Sequence, residues 1–270
     1  MKKHIPNAIT CGNLLCGCLA IVKAFEGDLV WAAYLVGIAL VLDFFDGFTA
    51  RLLKVASPIG KDLDSLADMV TFGVVPGIVM FQMIMLGESM IDNSPAVTGW
   101  TIYPPLSAPP DVSVDYVSHS YVKYFALIIP IFSAIRLAKF NNDTRQSDSF
   151  IGVPTPANAM VICSLPLIFG IHNGMLQSSP QLTNPLIMIF IHPFILCIVS
   201  LVMSLLLVAP LPLLALKFKN FGWADNKMRF IMIGLSVVCL AVFQFVGIPL
   251  IIILYIILSV INNIITKQKV

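Results

Sequence analysis

The chain has 270 residues, of which 58% are hydrophobic and only 11% charged, and its net charge is +2; its mean hydropathy is +0.93. So few charges exclude an ordinary soluble domain, and the lack of a basic tract excludes nucleic acid as a partner. A helix of about 20 apolar residues crosses roughly 30 Å of hydrocarbon, so the expected fold is an all-α, multi-pass membrane bundle.

Lys2, Lys3 and His4 precede the first apolar run, residues 7–25. Lys23, Glu26 and Asp28 close it, a second run follows at once, and no small-x-small cleavage site is present. This stretch therefore reads as a retained helix rather than a removed signal. Further runs at 31–53, 62–87, 121–141, 155–172, 186–207, 229–247 and 248–265 bring the expected passes to eight. The last two are continuous and too long for one pass, which calls for a hairpin turning at Gly247 to Pro249.

A cytosolic N-terminus gathers Lys2, Lys3, Arg51, Lys54, Lys61, Arg136, Lys139, Arg145, Lys217, Lys219, Lys227, Arg229, Lys267 and Lys269 inside. Only Lys23 and Lys123 fall toward the outer ends, the asymmetry that the positive-inside rule demands. The outer loop, residues 88–120, has Pro104, Pro105, Pro109 and Pro110 and no lysine or arginine, as suits an extracytosolic cap. Without an internal repeat or linker, 1–270 reads as a single membrane domain, with a catalytic core at 1–172 and additional transmembrane helices at 173–270.

Other reactive residue types are read as packing. Cys11, Cys16, Cys18, Cys163, Cys197 and Cys239 lie in apolar segments without zinc-ligand spacing, and are read as small buried residues. Met80, Met83 and Met85 read as core. His119, His172 and His192 are scattered loop or interface residues, and Trp31, Trp100 and Trp223 fit an interfacial belt.

The second and third runs are different. Asp43, Asp46, Gly47, Ala50 and Arg51 share one helical stripe, and Gly60, Asp64 and Asp68 share a stripe of the next helix. A turn through Ser57 and Pro58 can set the two stripes face to face. Carboxylates about 4 Å apart repel by about 4 kcal/mol per pair at an effective dielectric near 20. An oxygen-only ligand set without histidine or thiolate points to hard cations, Mg²⁺ or Mn²⁺, and two divalent ions would neutralise four aspartates. Asp46 lies roughly 24 Å along its helix, still within the hydrocarbon, so the cluster must face a polar cavity open to the cytosol. Gly47 and Ala50 leave room for a bulky group there. Asp62 is off the stripe. A set of helix-end charges, or the cation site of an ion-coupled transporter, would explain the carboxylates but not the small residues and arginine at these offsets.

DFFDGFTAR, eight residues, then GKDLDSLAD resembles the complete D-x2-D-G-x2-A-R-x8-G-x3-D-x3-D signature of the CDP-alcohol phosphatidyltransferases, eight defined positions across 26 residues. The resemblance implies two divalent ions held by Asp43, Asp46, Asp64 and Asp68, with Gly47, Ala50, Arg51 and Gly60 near the CDP-lipid. Asp68 would be the catalytic base toward the attacking hydroxyl. IPNAITCGNLLCG, DSLADMVTFGVVP, and RLAKFN followed by GVPTPANA resemble one branch of that family, the bacterial phosphatidylserine synthases. This adds Pro6, Asn7 and Thr10 near the nucleotide. It implies CDP-diacylglycerol and L-serine as substrates, phosphatidylserine and CMP as products, membrane lipids as surroundings, and a homodimer in the cytoplasmic membrane of a bacterium with its site facing the cytosol.

A serine pocket needs a cation and carbonyl or amide groups, which Arg136 and Asn141 can supply. Arg136 and Lys139 can equally anchor their helix at anionic headgroups. Arg136, Lys139 and Arg145 would also suit glycerol 3-phosphate or inositol phosphate, so electrostatics leaves the acceptor open and the branch resemblance favours serine.

Overall fold

The computed structural model describes residues 4–55, 57–91, 121–142, 149–172, 175–176, 189–214 and 223–267. The proline-rich outer loop over 92–120, with Arg145, Lys217 and Lys219, lies outside them.

Helix α1 (His4–Phe25) returns as α2 (Leu29–Leu53) through Gly27 at φ 80°, and the Asp28 carboxylate caps α2 by accepting from Trp31 N at 3.2 Å. Their shared face is lined by Ala20, Ala24, Ala32, Val36 and Ala39, all fully buried, so the two backbones approach closely. Lys54, at φ 54°, ends α2 in a left-handed cap. Ser57 then starts α3 (Pro58–Asp68), its Oγ accepting from Gly60 N at 3.1 Å, with Pro58 in the first turn where no N–H is needed. The Ser57–Pro58 reversal expected from sequence is therefore built from two caps.

The third run is not a uniform helix. After Asp68 the backbone widens into a π-helical segment, Met69–Val74, before continuing as α4 (Val75–Ile91). Hydrophobic periodicity carries no mark of such an inserted residue. A 3-10 turn, Val122–Leu127, leads into α5 (Ile128–Asn142), where Pro130 lies against Gly77: a Cβ on that glycine would sit 2.7 Å from the proline ring. α6 (Thr155–Phe169), α7 (Pro193–Val208), α8 (Trp223–Phe243) and α9 (Gly247–Lys267) follow. The C-terminal hairpin holds, but the chain reverses through Gln244–Val246, with Gln244 at φ 49°, slightly earlier than expected. Gly247 is required there because a Cβ would meet the Cys239 carbonyl oxygen at 2.6 Å.

The chain is an all-α, multi-pass membrane protein. Among the described residues four helical stretches are long and apolar enough to span: His4–Phe25, Leu29–Leu53, Pro58–Glu88 and Phe230–Ile261, the last including the Gln244–Val246 reversal. Thr155–Phe169 and Pro193–Val208 are apolar but shorter. Helices occupy all eight expected segments, but these lengths do not make every one a full span. Large apolar side chains such as Phe44, Leu52, Phe194 and Val242 are more than half exposed on the outer faces, as lipid-facing positions are. Cys11 and Cys18 also lie exposed, whereas Cys163 and Cys239 are buried.

Two short strands tie together the connection before α6 and the one after α7. β1 (Ser149–Ile151) pairs antiparallel with β4 (Pro212–Leu214), Phe150 opposite Leu213. A separate pair joins β2 (Ile171–His172) to β3 (Met175–Leu176). Beyond β1, Gly152 N donates to Leu211 O and Val153 N to Leu206 O, both at 3.0 Å. Val153 packs with Leu213, Met232 and Tyr255, so the last two helices brace the entry to α6. Gly152 has φ 75°, and a Cβ there would collide with the Leu207 carbonyl. Gly152→Ala is expected to destabilise by about 1–3 kcal/mol, read as a lowered Tm in detergent; an unchanged Tm would refute this account of the entry.

Candidate metal centre and nucleotide cavity

α2 and α3, joined by the capped turn, bring Asp43, Asp64 and Asp68 together, with one carboxylate oxygen from each lying within 4.8 Å of the others. All three side chains are half-buried. Asp64 Oδ1 and Asp68 Oδ1 are fully enclosed and have no hydrogen-bond partner. Three carboxylates converging without donors is an arrangement that only cations or protons relieve. The donor set is all oxygen, so the residues fit a hard divalent ion.

Asp46, the fourth carboxylate of the stripe, is only 5% exposed. Its Oδ2 lies 2.7 Å from Thr10 Oγ1, which is also 3.1 Å from Pro6 O. A hydroxyl has one proton to give, and the shorter, charged contact takes it. Thr10 therefore ties α1 to the acidic stripe.

Beside this cluster is a cavity of about 210 Å³, lined by Pro6, Asn7, Thr10, Asp46, Gly47, Ala50, Val55, Ser57, Gly60, Lys61 and Asp64. The three amino-terminal residues singled out from sequence thus share one wall system with Gly47, Ala50 and Gly60. A Cβ on Gly60 would come within 3.1 Å of Asn7 Oδ1 and Ser57 Oγ, so glycine permits the α1–α3 approach. At Gly47 a Cβ would meet nothing within 4 Å. A larger side chain there fills the cavity without disturbing the fold. If this cavity takes the CDP-lipid that the sequence resemblance implies, Gly47→Leu is expected to keep its Tm while raising the KM for that lipid at least about tenfold; an unchanged KM would show that it binds elsewhere.

Arg51 is exposed and donates from Nε to Gly47 O at 3.0 Å, and it does not line the cavity. Lys61 does line it, and donates from Nζ to Asn141 O at 3.4 Å. The motif pattern had drawn attention to the arginine; the lysine shows only in three dimensions. Asp62 is exposed, consistent with its position off the stripe.

Arg136 on α5 is 8% exposed, stacks over Phe140 at 5.1 Å, and interacts electrostatically with Asp68. Its burial sets it apart from Lys54, Lys61 and Arg51, which are exposed. This burial is not that of a headgroup anchor; Lys139, by contrast, is exposed. Asn141 Nδ2 donates to Ser65 Oγ at 2.9 Å, so its amide ties α5 to α3. His192 caps α7, its Nδ1 accepting from Phe194 N at 3.3 Å.

Several buried polar groups escaped the sequence reading. Asn13, Ser133, Thr155 and Asn158 are fully buried, and their side-chain polar atoms have no hydrogen-bond partner. An asparagine inside an apolar helix was the available signal for Asn13 and Asn158.

Residues 3–209 match the CDP-alcohol phosphatidyltransferase family. The chain is similar to the CDP-diacylglycerol-serine O-phosphatidyltransferase of Bacillus subtilis (strain 168), 31% identical over 166 residues, covering 62% of this chain and 77% of that protein. It is 34% identical over 159 residues to the same-named protein of Helicobacter pylori (strain J99), covering 58% of this chain and 54% of that one. An archaetidylserine synthase from Methanothermobacter thermautotrophicus is 26% identical over 166 residues, 60% of this chain and 58% of that one. The match thus covers most of the Bacillus protein but little over half of the other two.

Proposed function

The chain belongs to the CDP-alcohol phosphatidyltransferase family, and from that premise we propose that it transfers the phosphatidyl group of CDP-diacylglycerol to L-serine, giving phosphatidylserine and CMP. The observation that carries the reading is the convergence of Asp43, Asp64 and Asp68 beside a cavity walled by Thr10, Asp46, Gly47 and Gly60. Serine as the acceptor draws on the names of the Bacillus and Helicobacter relatives.

Asp43, Asp46, Asp64 and Asp68 would hold two divalent ions, Mg²⁺ or Mn²⁺, which when bound supply positive charge to the diphosphate. Pro6, Asn7, Thr10, Gly47, Ala50 and Gly60 receive the nucleotide end of the CDP-lipid, with Lys61 on the wall and Arg51 at the Gly47 carbonyl. The diacylglycerol chains remain in the bilayer. The serine hydroxyl oxygen bonds to the phosphatidyl phosphorus as the bond from that phosphorus to the CMP oxygen breaks. Asp68, whose Oδ1 has no other partner, takes the hydroxyl proton. Arg136 steadies the ionised Asp68 and faces the acceptor.

The same reading makes 1–270 one membrane domain with its catalytic core at 1–172. It also puts the protein in the cytoplasmic membrane of a bacterium as a homodimer, with the site facing the cytosol. The deciding experiment supplies purified protein with CDP-diacylglycerol and Mn²⁺ or Mg²⁺ and follows CMP. Release dependent on L-serine is expected. Release only with glycerol 3-phosphate or inositol phosphate would refute the acceptor, and cation-dependent flux without CMP would refute the enzyme in favour of a transporter.

A further inference from the structure

Asn158 is fully buried in the first turn of α6, yet neither its carboxamide oxygen nor its nitrogen has a partner. Ser133 on α5 and Thr155 on α6 are in the same condition. Leaving such groups dry and unpaired is unfavourable, so a patch of them marks a place where a polar ligand or water belongs.

Its level in the membrane follows from packing. α2 and α6 pack on one another and together line one apolar cavity, with Tyr34, Gly37 and Val41 from α2 and Met160, Ser164 and Leu167 from α6. Gly152, just before α6, packs on Leu207, whereas Gly87 at the far end of α4 packs on Ile191 and Pro193, so α6 runs opposite to α2. Asp43 lies just past Val41 on α2 and Asn158 just before Met160 on α6, so both stand at the same end of that cavity, where Asp43 belongs to the carboxylate cluster. From the other side, Ser133 packs on Gly73, 3.2 Å from where its Cβ would be, in the π-helical segment that follows Asp68. Arg136 is one turn further toward the cytosol on the same face of α5 as Ser133. α5 and α6 both pack on that segment. Arg136, Ser133 and Asn158 therefore flank the Asp43–Asp68 cluster from two neighbouring helices.

We infer that Arg136, Ser133 and Asn158 form the acceptor subsite, on the bilayer-centre side of Asp68, and that it is built for a zwitterionic amino acid. The inference rests on the proposed serine reading and deepens it. Arg136 pairs with the carboxylate. The Asn158 carboxamide oxygen accepts from the ammonium, with the Ser133 hydroxyl beside it. Arg136 supplies one positive charge and Ser133 and Asn158 none, which suits an acceptor bearing a single carboxylate; a phosphomonoester would bring about one further negative charge to the carboxylate cluster. Asn141, the other residue expected at the acceptor, donates to Ser65 Oγ through its amide.

Asn158→Leu separates this role from a structural one. Replacing a buried, unpartnered amide with an apolar group of similar shape removes no contact, so the variant is expected to keep or raise its Tm. Its KM for serine, followed by CMP release, is expected to rise at least about tenfold while the KM for CDP-diacylglycerol stays within about twofold. Asn158→Ala and Ser133→Ala, which add no bulk, are expected to raise the serine KM in the same selective way and carry the test should the leucine variant fail to fold. An unchanged serine KM in the folded variants, or an equal rise in both KM values, would overturn the subsite while leaving a serine-dependent wild type intact. A wild-type protein that releases no CMP with serine would overturn the acceptor reading and the subsite with it.

Discussion

Asp68→Asn is expected to lower serine-dependent CMP release by a factor of about 10² to 10⁴, with CDP-diacylglycerol binding largely retained. The size follows from losing a positioned general base, and the selectivity follows from geometry. Asp68 is absent from the wall of the cavity proposed for the nucleotide, which is lined instead by Asp46 and Asp64. Its Oδ1 is buried with no partner, beside the Arg136 charge. The asparagine keeps the shape but cannot take the proton. Titration of CDP-diacylglycerol into the purified variant, alongside a CMP assay, checks both halves. Near-normal turnover would remove Asp68 from its role, and loss of lipid binding together with turnover would make it a binding residue instead.

Removal of divalent cations is expected to abolish CMP release altogether and to lower the Tm, both restored by Mn²⁺ or Mg²⁺. Carboxylates about 4 Å apart repel by about 4 kcal/mol per pair at an effective dielectric near 20, and the cluster has few donors of its own to offset this. The same repulsion gives a control with the opposite sign. Asp64→Asn removes one charge from the cluster, so in chelator its Tm is expected to exceed that of the wild type, while Mn²⁺ raises it by less. Thermal unfolding of both proteins, with chelator and with Mn²⁺, tests this. A wild-type Tm indifferent to metal, or an Asp64→Asn protein that gains as much from Mn²⁺ as the wild type, would contradict a metal centre there.

Asp43 to Asp68 was legible in the sequence because it is local: two stripes of helical spacing separated by a turn whose serine and proline announce a cap. Thr10 was reached by resemblance alone. Its reason for being there, the 2.7 Å contact with Asp46, joins positions 36 residues apart. Lys61 and Arg51 show the same limit. Spacing marks the arginine of the motif, but which of two cations faces the cavity depends on how α3 rotates against α1. Asn158 carries no pattern beyond being an amide in an apolar helix, and its level opposite Asp43 arises from the antiparallel packing of α2 on α6.

The sequence by itself determined the membrane class, the order of the helices and the acidic stripes whose oxygens could hold a divalent ion, because composition, helical period and charge act between near neighbours in the chain. Only the tertiary structure decided that the third run contains a π-helical segment just past Asp68. It also decided that Asn141 holds α5 to α3, and that the C-terminal helices brace the Gly152–Thr155 entry. Those outcomes depend on which buried polar groups find partners across helices, and that is settled when the helices pack.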